Sequence, residues 1–305
     1  MEAKEFNIDN IPSQKGRLAI VTGANTGLGF ETALVLAKKE MKVILACRNI
    51  HKAEKAKHHI LRKFPKANLE IMKIDLSSLA SVRDFAKNFL SKYSQLDILI
   101  NNAGIMVPPY TKTEDGFEST MASNYFGHFL LTGLLLETIK KTKNSRIISL
   151  ASIAHKKGYI NFEDLNFEKK YSSTTAYRQS KLACLIFAYE LQRRLDKAKL
   201  KTLSVAAHPG VSITDIARNI PRWMYNIALP FTPLVTHTPD KGVEPIVYAA
   251  LGENAHGGDY FGPKGFLEMF GKIGKADSTP LSKDKEIAKR LWEISEKLTD
   301  IKYSF

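Results

Sequence analysis

Cysteine is scarce in this chain. Two residues of 305, Cys47 and Cys184, cannot build a disulfide scaffold or a cysteine-rich zinc site. Long apolar runs are missing too. The greasiest window, Phe129 to Ile139, is too short to cross a bilayer and carries Thr132, Glu137 and Thr138, so it reads as a buried core helix. Residues Met1 to Asn10 lack the continuous apolar centre of a secretory signal. These absences predict a soluble, cytoplasmic protein with no integral membrane segment, in a reducing compartment. Gly/Ser linkers, internal repeats and low-complexity tracts are absent as well. The expectation is one domain over residues 18–305, preceded by an extension over residues 1–17 with turn signals at Pro12 and Gly16.

What the chain does have is a core and an excess of positive charge. Hydrophobic residues make up 44% of it, which excludes a largely disordered protein, and its formal net charge is +14. The lysines are scattered in short groups, such as Lys38-Lys39, Lys140-Lys141 and Lys169-Lys170, without a nucleic-acid-binding motif. They read as a solvated surface, and no nucleic-acid partner is expected. His51, His58 and His59 lie on or beside a lysine-rich helix without clustered carboxylates, and His155 and His208 read as loop residues. No metal site is expected.

Hydrophobic periodicity alternates strand with helix along the chain. Strands are predicted at 18–21, 42–46, 69–74, 96–100, 146–150 and 202–207, the last closing the series. Helices are predicted at 28–39, 50–64, 77–92 with Ser77 as N-cap, 116–141 and 175–197, with a loop-rich stretch over 155–173. Near-continuously apolar strands between helices indicate a doubly wound parallel sheet of Rossmann type, an α/β fold with helices on both faces.

A glycine-rich turn lies between the first strand and the first helix. It reads Thr22-Gly23-Ala24-Asn25-Thr26-Gly27-Leu28-Gly29. Glycines there would let the backbone approach a pyrophosphate, and the helix N-terminus would supply N–H donors and partial positive charge. The spacing is neither G-x-G-x-x-G nor a P-loop. In dinucleotide-binding folds an acid about 20 positions further on binds the adenosine ribose. Here that place is held by Cys47-Arg48. A carboxylate would repel a ribose phosphate, whereas Arg48 can pair with it, so NADP(H) is expected.

With these come further motifs in order: Asp75-Leu76, Asn101-Asn102-Ala103-Gly104, Ser152, Tyr177-x-x-x-Lys181 and Pro209-Gly210-Val211-x-x-Thr214. From Leu18 to about Gly262 the ordered set resembles the classical short-chain dehydrogenases/reductases. Ala46-Cys47-Arg48-Asn49, the segment Arg290 to Ser295 and the interval of 25 positions between Ser152 and Tyr177 resemble the retinol-dehydrogenase-like group.

The resemblance implies a catalytic tetrad of Asn124, Ser152, Tyr177 and Lys181. It also implies a cofactor site of Gly23, Asn25, Thr26, Gly27, Leu28, Gly29, Arg48, Asp75, Leu76, Asn102, Ala103, Gly104, Tyr177, Lys181, Pro209, Gly210, Val211 and Thr214. Asp75 would hold the adenine ring, Lys181 the nicotinamide ribose, and Asn124 a proton-relay water. The chemistry is consistent with those roles. Tyr177 and Lys181 are four apart on a predicted helix and share a face. A free phenol titrates at about 10, and a neighbouring ammonium favours the phenolate. Ser152, just past a strand, would stabilise a developing alkoxide, and wins that role over Ser149 by its position.

The segment Ile220 to Val235 is rich in aromatics and Met. It is expected to form a substrate lid at about 212–240 suited to a small apolar carbonyl or alcohol. Shallow membrane docking helped by Arg218 and Arg222 is the competing reading, with three prolines against it. A non-catalytic, cofactor-binding scaffold is the other functional alternative, and the sequence leaves homo-oligomerisation open.

Overall fold

Short runs dense in β-branched residues form the sheet. In the computed structural model, which describes residues 6–210 and 242–305, β1 (Leu18–Thr22), β2 (Lys42–Cys47), β4 (Ile98–Asn101) and β5 (Arg146–Leu150) are buried almost throughout. Burial on both faces is why these strands read as continuous apolar segments, without polar alternation. With β3 (Leu69–Lys73), β6 (Leu203–Ala207), β7 (Tyr260–Pro263) and β8 (Ile273–Lys275) they form one eight-stranded sheet in the order β3-β2-β1-β4-β5-β6-β7-β8.

All neighbouring pairs are parallel except β7 with β8, which is antiparallel. The series therefore does not close at residue 207, and the edge of the sheet departs from the all-parallel expectation. Tyr-Phe-Gly-Pro and Ile-Gly-Lys are too short and too rich in Gly and Pro to announce strands.

Helices α1 (Gly27–Lys38), α2 (Ile50–Lys63) and α6 (Glu244–Leu251) cover one face. The other carries α3 (Leu79–Leu90), α4 (Gly127–Lys141), α5 (Ser173–Lys197) and α7 (Lys285–Leu298). Helix α3 begins two residues later than expected because Ser78, not Ser77, is its N-cap, accepting the Ser81 N–H; the Ser77 hydroxyl bonds Asp75 instead. The long helix predicted from residue 116 starts at Ser119–Met121, passes through a π turn at Ala122–Phe126, and only then runs on as α4. On α7, Trp292 packs among Phe129, Phe187 and Tyr303, and the Tyr303 hydroxyl donates to the Phe129 carbonyl at 2.6 Å.

Residues 6–17, before β1, lie on the fold. Lys39 Nζ donates to the carbonyls of Asp9 and Ile11, and Ile11 is buried beside Val243 and Val247. No helix among the described residues is long and apolar enough to cross a membrane. Val211, Thr214 and the expected lid fall outside the described residues.

Candidate active site

The strand order reverses between β1 and β4, and at that switch point the carboxyl ends of the strands open a cleft of about 830 Å³. The loops after β1 through β6 line it. Gathered there are Gly23, Asn25, Thr26, Gly27, Leu28 and Gly29 from the first, and Arg48 from the second. Asp75 and Leu76 follow β3, Asn102, Ala103 and Gly104 follow β4, Ser152 follows β5, and Pro209 and Gly210 follow β6, with Tyr177 and Lys181 from α5. Sequence reasoning passed over Asn49, Lys52, Ile105, Met106, Val107 and Ser123, which line the same cleft. Only their adjacency to the motifs pointed to them.

The glycine turn is built for close approach. Gly23 and Gly27 have φ of +68° and +56°, where a side chain is strained, and a Cβ on Gly29 would sit 2.4 Å from the Gly23 carbonyl oxygen. Thr26 caps α1 without a side-chain bond to its first turn, so no side chain competes for those N–H groups. The turn is tied to the loop after β4. Thr22 Oγ1 accepts the N–H groups of Asn102 and Ala103, each at 2.9 Å, and Asn102 Nδ2 donates to the Thr22 carbonyl. A glycine-lined turn, uncapped helix N–H groups and an exposed arginine at one end fit a dinucleotide. The Arg48 side chain is 70% exposed, 3.7 Å from Asp75 Oδ2, while Asp75 Oδ1 is occupied by the Ser77 N–H and hydroxyl.

At the other end, Lys181 is buried and its Nζ donates to the Leu150 carbonyl at 3.0 Å, 5.9 Å from the centre of the half-buried Tyr177 ring. Ser152 Oγ accepts the Ala154 N–H at the start of a 3-10 turn (Ile153–Lys157), while Ser149 is buried within β5. Asn124 lies in the π turn, behind the cleft wall. Its Oδ1 accepts the Ile105 N–H and its Nδ2 donates to the Ile105 carbonyl and to Ser180 Oγ, so its amide pins the loop after Gly104. Its carbonyl accepts from His128 Nδ1 at 2.9 Å and from Cys184 Sγ.

His128 was not anticipated. Its Nε2 meets Thr22 Oγ1 at 2.9 Å, and burial holds its pKa down at about 4, so it is neutral. His155 and His208, expected as plain loop residues, are completely buried. A loop position gives no hint of burial when the covering strand, β7, is itself unrecognised. Both cysteines are inert: burial pushes the Cys47 thiol up to about 12 and raises that of Cys184. No cluster of three metal-ligating side chains occurs among the described residues.

A family model described as short chain dehydrogenase matches residues 17–224, more than half the chain. This chain belongs to the short-chain dehydrogenase family. It is 43% identical to retinol dehydrogenase 13 of Mus musculus over 94% of this chain and 84% of that protein, and 40% identical to retinol dehydrogenase 11 of Mus musculus over 92% and 85%. Within the family it falls in the retinol-dehydrogenase-like group. A crystal structure of an uncharacterised protein from Mycobacterium Paratuberculosis superposes with a TM-score of 0.82 at 37% identity, covering 99% of this chain and all of that one. Pseudomonas aeruginosa RhlG, solved with NADP, shares the fold alone, at 22% identity and a TM-score of 0.63 over 81% of this chain and 94% of that one. As a member of the family, the chain is a nicotinamide-dependent oxidoreductase of alcohols and carbonyls.

Proposed function

We propose that this protein transfers a hydride between NADP(H) and an apolar alcohol or carbonyl, with Tyr177 as general acid and base. The observation that carries the reading is the shared cleft: Ser152, Tyr177 and Lys181 line one end and Arg48 the other, with the glycine turn between. Gly23 to Gly29 and the N-terminus of α1 would hold the pyrophosphate, Arg48 the ribose phosphate, and Lys181 the nicotinamide ribose. The bound nicotinamide supplies or accepts the hydride. Tyr177 then delivers the proton to the substrate oxygen, or removes it in the reverse direction, and the Ser152 hydroxyl donates to that oxygen as charge develops. The Lys181 ammonium, anchored on the Leu150 carbonyl and 5.9 Å from the centre of the Tyr177 ring, places positive charge beside the proton donor.

Arg48 supports the phosphorylated cofactor because it is exposed at the end of β2 with no carboxylate in the ribose position. An apolar substrate of the retinol class is supported by the names of the relatives and by the aromatic segment Ile220 to Val235, which we read as its cover. Oxidation of NADPH and of NADH with a panel of long-chain and retinoid aldehydes and ketones tests the proposal. Turnover with NADPH, and little with NADH, is expected. Cofactor binding without turnover of any carbonyl or alcohol would favour a scaffold role instead.

A further inference from the structure

Behind Ser152 lies a buried polar cluster that the reaction described above does not use. His155 and His208 have no exposed surface, and Tyr260 and Glu268 are 3% and 6% exposed. Their hydrogen bonds fix their protons. His155 Nδ1 lies 2.6 Å from the Ser152 carbonyl, so that nitrogen carries the hydrogen and Nε2 is a bare acceptor. His208 Nδ1 accepts the Gly210 N–H at 3.2 Å, so its Nε2 carries the hydrogen and is a donor. Burial holds both rings neutral, lowering the pKa of His155 and bringing that of His208 down to about 3. It also keeps the Tyr260 phenol protonated.

His155 Nε2, His208 Nε2 and Tyr260 Oη are buried, and none has a hydrogen-bond partner among the described residues. Leaving three such atoms unsatisfied would cost about 1–3 kcal/mol each in a folded protein. They belong to neighbouring side chains. The Tyr260 ring stands edge-on to His155, with centroids 5.6 Å apart, and 5.2 Å from His208, whose Nε2 is 3.7 Å from Glu268 Oε2. Glu268 is brought there at a cost: it and Leu267 both adopt left-handed backbone, φ 57° and 50°, without being glycine. Its Oε1 accepts the Asp277 N–H and its Oε2 the Lys156 ammonium.

We propose that His155, His208, Tyr260 and Glu268 hold one buried water, which locks the Ser152 turn to the Pro209–Gly210 turn and makes these four positioning residues for Ser152. The donors and acceptors match a water. It accepts from His208 Nε2–H and from the Tyr260 hydroxyl, and donates to His155 Nε2 and Glu268 Oε2, four bonds in a dry site. A cation does not fit. The proton on His208 Nε2 and the Lys156 ammonium on Glu268 both oppose it. Through this water the Ser152 carbonyl, gripped by His155, is linked to the Gly210 N–H, gripped by His208. Two loops on one side of the cleft are thereby fixed relative to each other.

The positioning role rests on the function proposed above, but the water does not. A crystal structure of the whole protein that shows ordered waters is expected to contain one within hydrogen-bond distance of His155 Nε2, His208 Nε2 and Tyr260 Oη. Direct pairing of these atoms, or a side chain from residues 211–241 between them, would overturn the water.

Tyr260→Phe keeps the ring and removes one partner. It should lower kcat about tenfold with NADPH Kd little changed and Tm lowered by no more than one lost hydrogen bond, since a small misplacement of Ser152 acts on the chemical step. His155→Leu should lower kcat further, while His155→Asn, whose amide can donate to the Ser152 carbonyl, should recover most of it. A lower Tm with kcat per folded molecule intact, or no rescue by Asn over Leu, would reject the positioning role. If the wild type turns over no substrate, the proposed function fails on its own. The crystal structure of Tyr260→Phe then decides positioning by whether the Ser152 turn has moved.

Discussion

Tyr177 and Arg48 make separable demands at the two ends of one cleft. Tyr177→Phe keeps the ring beside Lys181 and removes only the proton donor. The expected result is a loss of kcat of about 10²–10⁴-fold with NADPH affinity unchanged, measured by steady-state kinetics beside cofactor titration. Turnover near that of the wild type would reject Tyr177 as the acid. Arg48→Asp should instead weaken NADPH binding by about tenfold or more and leave NADH binding little changed. The substitution puts a carboxylate where the guanidinium stood, so a ribose phosphate there meets repulsion in place of pairing, and Asp75 loses its partner at 3.7 Å. A wild type that prefers NADH would defeat this argument before any variant is made.

Between the residues stand the elements that hold them, and here the limit of what the sequence shows has a physical cause. The glycine turn was legible from its place between β1 and α1, where backbone must approach a pyrophosphate, while Ser152, Tyr177 and Lys181 were legible only as part of an ordered set of motifs that resembles the family. His128 was not, because its role exists only where three elements meet. Thr22 at the end of β1 sets its hydroxyl against His128 Nε2 and the Ile100 carbonyl while accepting the Asn102 and Ala103 N–H groups after β4. His128 Nδ1 in turn bonds the Asn124 carbonyl in the π turn before α4. Likewise β7 was missed because Tyr260–Pro263 has little strand character of its own and is held by its neighbour β6, which is also why the burial of His155 and His208 went unseen. His128→Leu leaves the Asn124 carbonyl and the Thr22 hydroxyl without that partner. It is expected to cost about 2–4 kcal/mol in urea unfolding, with weaker NADPH binding as the Asn102–Ala103 loop loosens. Unchanged stability and affinity would show that the junction is redundant.

At the scale of the whole molecule, these internal histidines set the response to acid. His128 and His208 are neutral in the folded state, with pKa values brought down to about 4 and about 3 by burial, and His155 is shifted in the same direction. The unfolded chain takes protons on all three at about pH 6.5, where the folded protein refuses them. More protons on the unfolded state mean that stability rises with pH. Their contribution is fully present above about pH 7 and is lost as pH falls through 6 toward 4. His128 and His208, at about 1.36 kcal/mol per proton each, give a slope approaching about 2.5 kcal/mol per pH unit near pH 5.5, and His155 adds in the same direction. Carboxylates held below their ordinary range, such as Glu70 and Asp164, add to the loss only at lower pH, below about 4.5. The surface charge, formally +14 with the histidines neutral, also grows as pH falls and pushes the same way, but salt screens it. Urea unfolding between pH 7.5 and 5, repeated at low and high salt, separates the two. A steep slope that survives salt belongs to the buried histidines. A flat profile, or one abolished by salt, would mean that these rings gain protons without unfolding the protein, and that the polar cluster behind Ser152 is open to water.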